Sequence, residues 1–436
     1  MADAPVTVSK MTGLYKEVYP NGIITLAPEA AKLYKDMGEL SATEKTGNEY
    51  HQPVVLQHES GVSYGGGALA GTAYALNDSV PMTMADAKLQ GSEITVKSVV
   101  ALRVLSKATG SGKAFKTGMR PIFESNMRTH VIRHEIEMLY GRSATGLGSF
   151  GSGVADSGTQ ETMTCSLATW AVGIFAGQEG AVLNFFNNSG GALISSGADA
   201  LFTLASVDPD NRKITVTGTS TGCTALHAVA AAGTVIPDFA GARTALATYQ
   251  SAEGLDYVAT VASGTTVWNI SNTNTLWKPN TYSASSGKLT LGKVLGAVNK
   301  AVAKGGLDEP VKLYVNPDSW TDLADSFSAS RVLDSSYSSG EGKNGVEKVV
   351  YYGANGAIEV VIHPMVKGGE AFIVPVARCK KVGSTDVTMN VPGRGDELFV
   401  MSPAINGVEF RTYSDFQFFC EKPALITKIT TIVNGI

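Results

Sequence analysis

Cysteine and charged residues are both scarce in this sequence, and each shortage argues against a class of protein. The four cysteines among 436 residues form no CxxC pair, so they are too sparse for a disulfide scaffold and lack zinc-ligand spacing. The charged fraction is 17%, against about 25% in a typical domain. Low charge with 48 glycines suits a surface that partner chains mostly cover, and equally a β-rich protein with many turns. We expect buried thiols in a reducing compartment at Cys165, Cys223, Cys379 and Cys420.

Signals for secretion, for a membrane span and for nucleic-acid binding are also missing. The start MADAPVTVSK has no apolar core, so we expect no signal peptide. The longest apolar stretch, Ala225–Ala242, is broken by His227, Pro237 and Asp238, so it predicts no membrane span. The net charge of −4 argues against a dedicated nucleic-acid binder. The same net charge is compatible with a position next to a polyanion that the protein does not bind tightly.

No motif in the sequence predicts catalysis, a cofactor or a metal. Gly146–Gly151 matches GxGxxG but follows a helix rather than a strand, so it indicates a hinge between lobes. Gly110–Lys113 resembles a phosphate loop with its first glycine missing. His130 and His134 are one helical turn apart without a third ligand, and we expect a solvated or interface pair. The RGD tripeptide within Gly393–Asp396 is explained by a tight turn. We therefore expect no enzyme.

A long β-ribbon is the most informative feature that is present. Tyr50–Glu59 and Lys88–Lys107 are predicted as its two arms, and the glycine-rich segment Gly61–Thr72 as its tip. Twenty extended residues span roughly 65 Å at about 3.3 Å each. A compact globule of this length has a radius of gyration of only about 22 Å. Such an arm must fold back or reach onto a neighbour, and we expect it to reach.

A long charged helix follows the ribbon and ends near Tyr140. It starts near Lys113 or at Pro121, which fits a first turn better than a helix interior. Its apolar residues form two ridges, whereas a surface helix normally has one. Two ridges predict packing on both flanks, as in a structural spine. The first ridge holds Phe123, Met127, Val131 and Met138; the second holds Ile132, Ile136, Leu139 and Tyr140.

The remaining segments contain signals for both helices and strands, and the fold class is expected to be α+β. The clearest helix is amphipathic and stops at a Gly-Gly pair. The strongest hairpin signal is Asn355-Gly356. The predicted helices are Pro28–Met37, Thr290–Lys304 and Asn316–Asp325, and the predicted strands include Ala200–Val207, Lys213–Gly218, Val311–Val315, Lys348–Tyr352 and Ala357–His363.

Taken in order, these parts resemble the major capsid protein of tailed double-stranded DNA bacteriophages, which has the Hong Kong 97-type fold. The ribbon resembles the extended loop of that family, and the long helix resembles its spine helix. A helix followed by VNPDSW, and a final strand after Cys-Glu-Lys-Pro, add to the resemblance. The segments that carry it are Tyr50–Lys107, the helix to Tyr140, Lys288–Asp325, Ala357–Ile373 and Gly407–Ile432.

The resemblance implies a division of the chain into the lobes of that family. These are an N-terminal arm (1–48), the ribbon loop (49–107), the spine helix of a peripheral lobe (108–142), an axial lobe (143–370) and C-terminal strands that complete the peripheral lobe (371–436). A β-rich insertion at about 177–242 would decorate the axial lobe. Glycine-rich hinges near Ser143–Gly153 would accompany expansion of the shell on maturation.

The resemblance also implies a function in the virion capsid, after assembly in the host cytoplasm. Copies of the chain would form pentamers and hexamers of an icosahedral shell around double-stranded DNA, held non-specifically on the inner face. Scaffolding, portal and decoration proteins are further implied partners. Some members of the family carry an N-terminal scaffold that is cleaved off; none is visible in this sequence, which implies a separate scaffolding protein or a cleavage that has already occurred. No cofactor, metal or membrane is expected. The expected inter-subunit contacts are Tyr64, Gly65, Gly66, Gly67, Lys97, Arg103, Arg128 and Arg133.

Two alternatives stay open on the sequence alone. An encapsulin-type nanocompartment shares the fold but encloses an enzyme; such chains tend to be shorter. A β-rich adhesin or fibre protein would fit the glycine content and the RGD tripeptide, and would form trimers or monomers.

Overall fold

The computed structural model describes residues 31–38, 40, 45, 47–65, 71, 73–103, 112–189, 191–328, 349–389, 400–401 and 406–435. Within these ranges the chain combines helices with a four-stranded sheet, a six-stranded sheet, a closed barrel and small two-stranded sheets. The α+β fold class is confirmed at this level. Gly66, Gly67, the RGD tripeptide and the start of the predicted helix Pro28–Met37 lie outside the described residues.

The ribbon is shorter than predicted. Its second strand ends at Leu89, near the start of the segment Lys88–Lys107 that is predicted as the second arm. Strand β1 (Tyr50–Gln57) pairs antiparallel with β2 (Thr83–Leu89). The chain then turns, and β3 (Ser92–Ala101) pairs with the C-terminal strand Gly407–Cys420 instead. The prediction of Lys88–Lys107 as a single ribbon arm is therefore wrong. Gly91 permits the turn, since a Cβ there would lie 1.8 Å from the Asp415 carboxylate.

The long helix α2 (Gly112–Tyr140) has 29 residues and ends where predicted. The helix starts at Gly112, which agrees with the predicted start near Lys113. The alternative prediction, a start at Pro121, is wrong. Proline at an interior position removes one helix hydrogen bond, which the long helix tolerates. A short helix, α1 (Lys32–Asp36), docks on α2 through the buried Glu135. That carboxylate accepts hydrogen bonds from the amides of Leu33 and Tyr34, both at 2.7 Å.

A closed six-stranded barrel follows α2. Its strands are ordered β4-β5-β8-β7-β6-β9. The barrel begins at Phe150, whereas the β-rich insertion is predicted to start at about residue 177. The predicted start is too late because β4 (FGSGVADS) lacks the alternation of apolar and polar residues that signals a strand. The predicted strand pair on either side of residues 208–211 is confirmed. The elements are β4 (Phe150–Ser157), β5 (Gln160–Cys165), α3 (Val172–Phe175), β6 (Val182–Asn187), β7 (Phe202–Asp208), β8 (Lys213–Thr217), α4 (Ser220–Ala232) and β9 (Val235–Phe239).

Small elements connect the barrel to the six-stranded sheet. Two two-stranded sheets flank one short helix here. The elements are β10 (Arg243–Ala245), β11 (Thr248–Tyr249), α5 (Leu255–Thr260), β12 (Thr266–Val267) and β13 (Ile270–Ser271).

The six-stranded sheet mixes parallel and antiparallel pairs, with the last strand of the chain next to β14. The predicted helix Thr290–Lys304 is confirmed: Thr290 precedes its first turn, and Gly306 follows its end with a left-handed φ of 64°. The predicted hairpin is confirmed too, with Gly353 opposite Gly356. The elements are β14 (Asn280–Gly287), α6 (Leu291–Gly305), β15 (Val311–Val315), α7 (Pro317–Ser328), β16 (Val349–Gly353), β17 (Gly356–Ile362) and β18 (Ala371–Val374).

The C-terminal strands complete both sheets. The last four are β19 (Cys379–Thr388), β20 (Val400–Met401), β21 (Gly407–Cys420) and β22 (Thr427–Ile432). Strand β21 has β3 on one side and β19 and β20 on the other, while β22 lies between β14 and β18. All four cysteines are buried free thiols, as expected.

The cap of helix α4 offers a test of the barrel's local stability. The Thr219 hydroxyl accepts a hydrogen bond from the Gly222 amide at 3.0 Å. Thr219→Ala should lower the free energy of unfolding by about 1 kcal/mol, measured by denaturant titration. Thr219→Ser keeps the hydroxyl and should remain near the original stability. Equal stability of Thr219→Ala and the unmodified chain would contradict the cap.

Candidate assembly surface

The base of the ribbon is fixed to the body of its own chain. The Lys88 amide donates to the carbonyl oxygen of Trp268 at 3.1 Å. The ring of Tyr50 packs edge-on against Phe419 with centroids 6.0 Å apart, and Leu89 is buried in the main core. These contacts set the direction in which the ribbon leaves the body.

The far end of the ribbon, which we call the ribbon tip (residues 58–65 and 73–82), exposes apolar side chains. Tyr64 is 85% exposed and Leu76 is 76% exposed. Folded monomers rarely expose contiguous apolar patches of more than a few hundred Å². The tip therefore has the composition of a contact surface. Other exposed apolar residues on the ribbon are Val55, Val62, Tyr74, Val80, Met82 and Met84.

The ribbon tip has internal contacts although its residues pair in no described strand. The Asn77 amide donates to Ser63 Oγ at 2.6 Å, and Asn77 Nδ2 donates to the Val62 carbonyl at 2.7 Å. A Cβ on Gly65 would lie 2.2 Å from the Tyr74 ring. Gly65 is thus required for the ring to pack, which gives a local role to one of the predicted contact residues.

The predicted cationic contacts are spread over different parts of the structure. Lys97 is half exposed and its Nζ lies 2.8 Å from Glu409 Oε2; hydrogen bonds from Lys97 and Arg411 lower the pKa of Glu409. Arg103 is exposed, whereas Arg128 is partly buried on α2. Whether any of these residues contacts another subunit stays a prediction.

Arg133 is partly buried and packs against the last strand of the barrel. Its guanidinium carbon is 3.2 Å from the centroid of the Phe239 ring. Burial lowers the pKa of Arg133 to about 10, and Asp238 partly opposes that shift. It lines a cleft of about 440 Å³ between β3, α2 and the segment after β9. Its role as an inter-subunit contact stays a prediction.

A hydrogen-bonded polar seam joins α2 to the four-stranded sheet. Asn126 Nδ2 donates to Ser98 Oγ at 2.8 Å on β3. His130 has its two ring nitrogens 2.8 Å from Thr412 Oγ1 and 2.7 Å from Ser414 Oγ. This polar seam is defined by Ser98, Asn126, His130, His134, Thr412 and Ser414.

The expectation of a solvated or interface histidine pair is wrong. His130 and His134 are 0% and 1% exposed, and His134 Nε2 lies 2.5 Å from Ser414 Oγ. Because the two histidines are one helical turn apart, both rings lie on the face of α2 that packs against β21. Their partners there are Thr412 and Ser414, which occupy alternate positions of that strand. In the described part of the chain, no group of three or more histidine, cysteine, aspartate or glutamate side chains could hold a metal.

The glycine-rich segment after α2 is tightly packed against the barrel. A Cβ on Gly146 would lie 2.6 Å from the carbonyl oxygen of Pro237, and the Leu147 amide donates to that oxygen at 3.0 Å. Lys367 Nζ donates to the Gly146 carbonyl at 2.9 Å. Close packing thus accounts for Gly146, and hinge motion stays a prediction. None of the helices in the described ranges has the length and apolarity that a membrane span needs.

Sequence reasoning missed part of the apolar ribbon and the buried polar groups. The predicted tip ended at Thr72, yet Leu76 and Met82 beyond it are exposed. A signal was present, since both residues interrupt a polar, proline-containing stretch. The partners of the polar seam are up to 286 positions apart, and no local pattern identifies such pairs.

The polar seam predicts a loss of stability in mild acid. Burial lowers the pKa of His130 to about 4; burial, then His130 and Lys381, lower the pKa of His134 to about 3. Unfolded histidine titrates near pH 6.5, so below about pH 6.5 the unfolded chain binds protons that the folded chain does not. The free energy of unfolding should be insensitive to these groups above about pH 6.5 and fall from there to about pH 3.

Urea unfolding at a series of pH values measures this dependence. In a double variant, His130→Gln with His134→Gln, the free energy of unfolding should depend less steeply on pH. The decrease in slope should correspond to at most two protons. Identical slopes in the variant and the unmodified chain would rule out the histidines as its source.

Comparison with known proteins gives a fold but no close relative. No protein-family model matches the sequence, and no curated protein matches it. The structure is similar to a chain of the cyanophage A-1(L) capsid asymmetric unit, with a TM-score of 0.54, 13% identity and coverage of 98% of this chain and 99% of that one. Two others are the capsid of the native GTA particle (TM-score 0.47, 9% identity, 99% and 100% covered) and a Mycobacterium phage Bobi structure (0.45, 11%, 98% and 99%).

The last two TM-scores lie below 0.5, and at identities of 9–13% the similarity is one of fold. The match to the cyanophage chain spans nearly the whole length of both chains. The chain therefore shares the fold of this cyanophage capsid chain.

Proposed function

We propose that this chain is the major capsid protein of a tailed double-stranded DNA bacteriophage. Copies of it assemble into pentamers and hexamers of an icosahedral head that encloses the packaged genome. The observation that carries the proposal is the similarity to the cyanophage capsid chain over 98% of this chain and 99% of that one. A match of this extent leaves no large part of the chain outside the shared fold.

The elements take roles in this proposal that follow the Hong Kong 97-type arrangement. The ribbon is the extended loop, α2 is the spine helix, and the four-stranded sheet beside α2 belongs to the peripheral lobe. The six-stranded sheet, with α6 and α7, forms the axial lobe near the capsomer centre. The barrel is an added block on that lobe. The boundaries at residues 48 and 142 belong to the same proposal. The boundary at 107 is not kept, because β3 pairs with β21 in the four-stranded sheet. The assignment of all of 371–436 to the peripheral lobe is not kept either, because β18 and β22 lie in the six-stranded sheet.

The ribbon tip supplies the physical reason for assembly. Burial of one large apolar side chain stabilises a contact by about 1.5–3 kcal/mol, and the tip presents several of them. An obligate interface buries about 2,000–5,000 Å², which a ribbon lying across a neighbour can provide. The fixed base limits the directions that the tip can take. Each copy then covers apolar surface that its neighbour leaves exposed.

The remaining partners follow from the same function. Scaffolding, portal and decoration proteins contact the shell during or after assembly. A net charge of −4 suits an inner face that borders DNA without binding it tightly. The location is the virion capsid, after assembly in the host cytoplasm.

Charged substitutions in the ribbon tip should prevent shell formation. Tyr64→Asp combined with Leu76→Asp places two carboxylates where the proposal requires apolar contact, and desolvating them is costly. We expect the yield of closed particles to fall at least about tenfold, since loss of about 1.4 kcal/mol per contact already gives that factor. Negative-stain electron microscopy and sedimentation velocity measure the yield.

A matched pair, Tyr64→Phe with Leu76→Met, keeps the apolar surface and should still form particles. Circular dichroism should show the charged variant folded as a soluble subunit. A normal particle yield from that variant would contradict the role of the ribbon tip. Images of the unmodified assembly also distinguish a DNA-filled head from a small protein-filled compartment.

A further inference from the structure

A buried lysine and two carboxyl groups meet where the six-stranded sheet contacts α5. Lys428 on β22 donates through Nζ to Asp256 Oδ1 and, at 2.7 Å, to Glu370 Oε1. The side chains of Lys428 and Asp256 are only 5% and 4% exposed. The Lys428 ammonium and the Asp256 carboxylate are thus held in hydrogen-bond contact, almost completely shielded from bulk water.

The other contacts of the two carboxyl groups differ, which gives them different chemistry. Ser143 Oγ donates to Asp256 Oδ2, so it can stabilise negative charge that develops on that oxygen. Glu370 Oε2 is buried and has no hydrogen-bond partner in the described part of the chain. Burial and then the neighbouring Asp256 raise the pKa of Glu370, which favours its neutral acid form. Glu370 can therefore hold and transfer a proton.

We propose that Lys428 and Asp256 of one chain condense without any cofactor into an isopeptide bond, with Glu370 as the proton carrier and Ser143 as the hydrogen-bond donor to the reacting carboxyl. This reaction occurs inside a single subunit, so it is independent of shell formation and of the proposed function.

The atoms and charges of this reaction balance without a co-reactant. Glu370 gives its proton to the Asp256 carboxylate and takes one from the Lys428 ammonium, which leaves a neutral amine beside a neutral acid. Lys428 Nζ then attacks Asp256 Cγ, and one C–N bond forms. Glu370 carries a proton from that nitrogen to the leaving hydroxyl, one C–O bond breaks, and water departs. An ammonium and a carboxylate become an amide and one water.

The surroundings favour the amide over the separate charges. Two buried charges are expensive to desolvate, and their condensation removes both. Fixed proximity of the reacting atoms also replaces a bimolecular encounter. The remaining charge near Glu370 is Lys367, whose Nζ donates to Thr145 Oγ1 at 2.8 Å and to Gly146 O at 2.9 Å rather than to a carboxylate.

The bond would join α5 to the last strand across 172 positions of the chain. Strand β22 is paired with β14 and β18, so the cross-link would fasten the six-stranded sheet to the segment that follows the barrel. A covalent link of this span restricts the unfolded chain. Resistance to unfolding should increase accordingly.

Intact mass spectrometry of the denatured full-length chain tests the proposal. We expect a mass below that of the sequence by one water molecule, and a protease digest in which the peptides of Lys428 and Asp256 are joined. Lys428→Arg and Glu370→Gln should both keep the full sequence mass. Lys312→Arg is the matched control, because Lys312 contacts Asp36 at 2.5 Å with 28% of its side chain exposed; this variant should still lose one water.

The mass of the unmodified chain decides the outcome even if a variant fails to fold. A full sequence mass, with Lys428 and Asp256 recovered in separate peptides, would overturn the proposal. So would a loss of water that persists in Lys428→Arg, or one that maps to other residues.

Discussion

The pairing of β3 with β21 is the constraint on which the placement of the ribbon, the long helix and the C-terminal strands depends. It runs without a bulge from Ser92 opposite Phe416 to Ala101 opposite Gly407. Strand β3 starts directly after the ribbon and ends before α2, so this register fixes where the ribbon leaves the body. A slip of one residue would turn every side chain of β3 to the opposite face. The glycine at 91 allows the chain to enter this pairing beside Asp415.

The polar seam fixes the position of α2 on the sheet that contains this strand pair. A helix that packs on a sheet through apolar contacts alone can shift along it, whereas satisfied buried hydrogen bonds specify one arrangement. Here His130 and Ser414 sit at the centre, with Phe123 against Phe410 at 4.6 Å between ring centroids at one end. The base of the ribbon, the long helix and the sheet are thus joined by hydrogen bonds and apolar contacts.

Elements with a strong local signal could be predicted from the sequence, and elements made by distant pairing could not. Helix α6 has its apolar face, and Gly306 adopts the left-handed conformation that its position predicts. Lys88–Lys107 is predicted as one strand, but its division between two sheets follows from the pairing of β3 with β21, which is more than 300 positions away. The apolar tip was in part predictable. Glu135, which holds α1 in place, has no signal of its own because its partners are backbone amides.

The proposed function requires a subunit whose apolar ribbon tip is covered only by another copy. Electron cryo-microscopy of the native assembly, at a resolution that shows side chains, tests this most directly. We expect closed shells in which Tyr64 and Leu76 of each copy lie against an adjoining copy. A ribbon tip folded onto its own body, or a native protein that forms no shell, would contradict it.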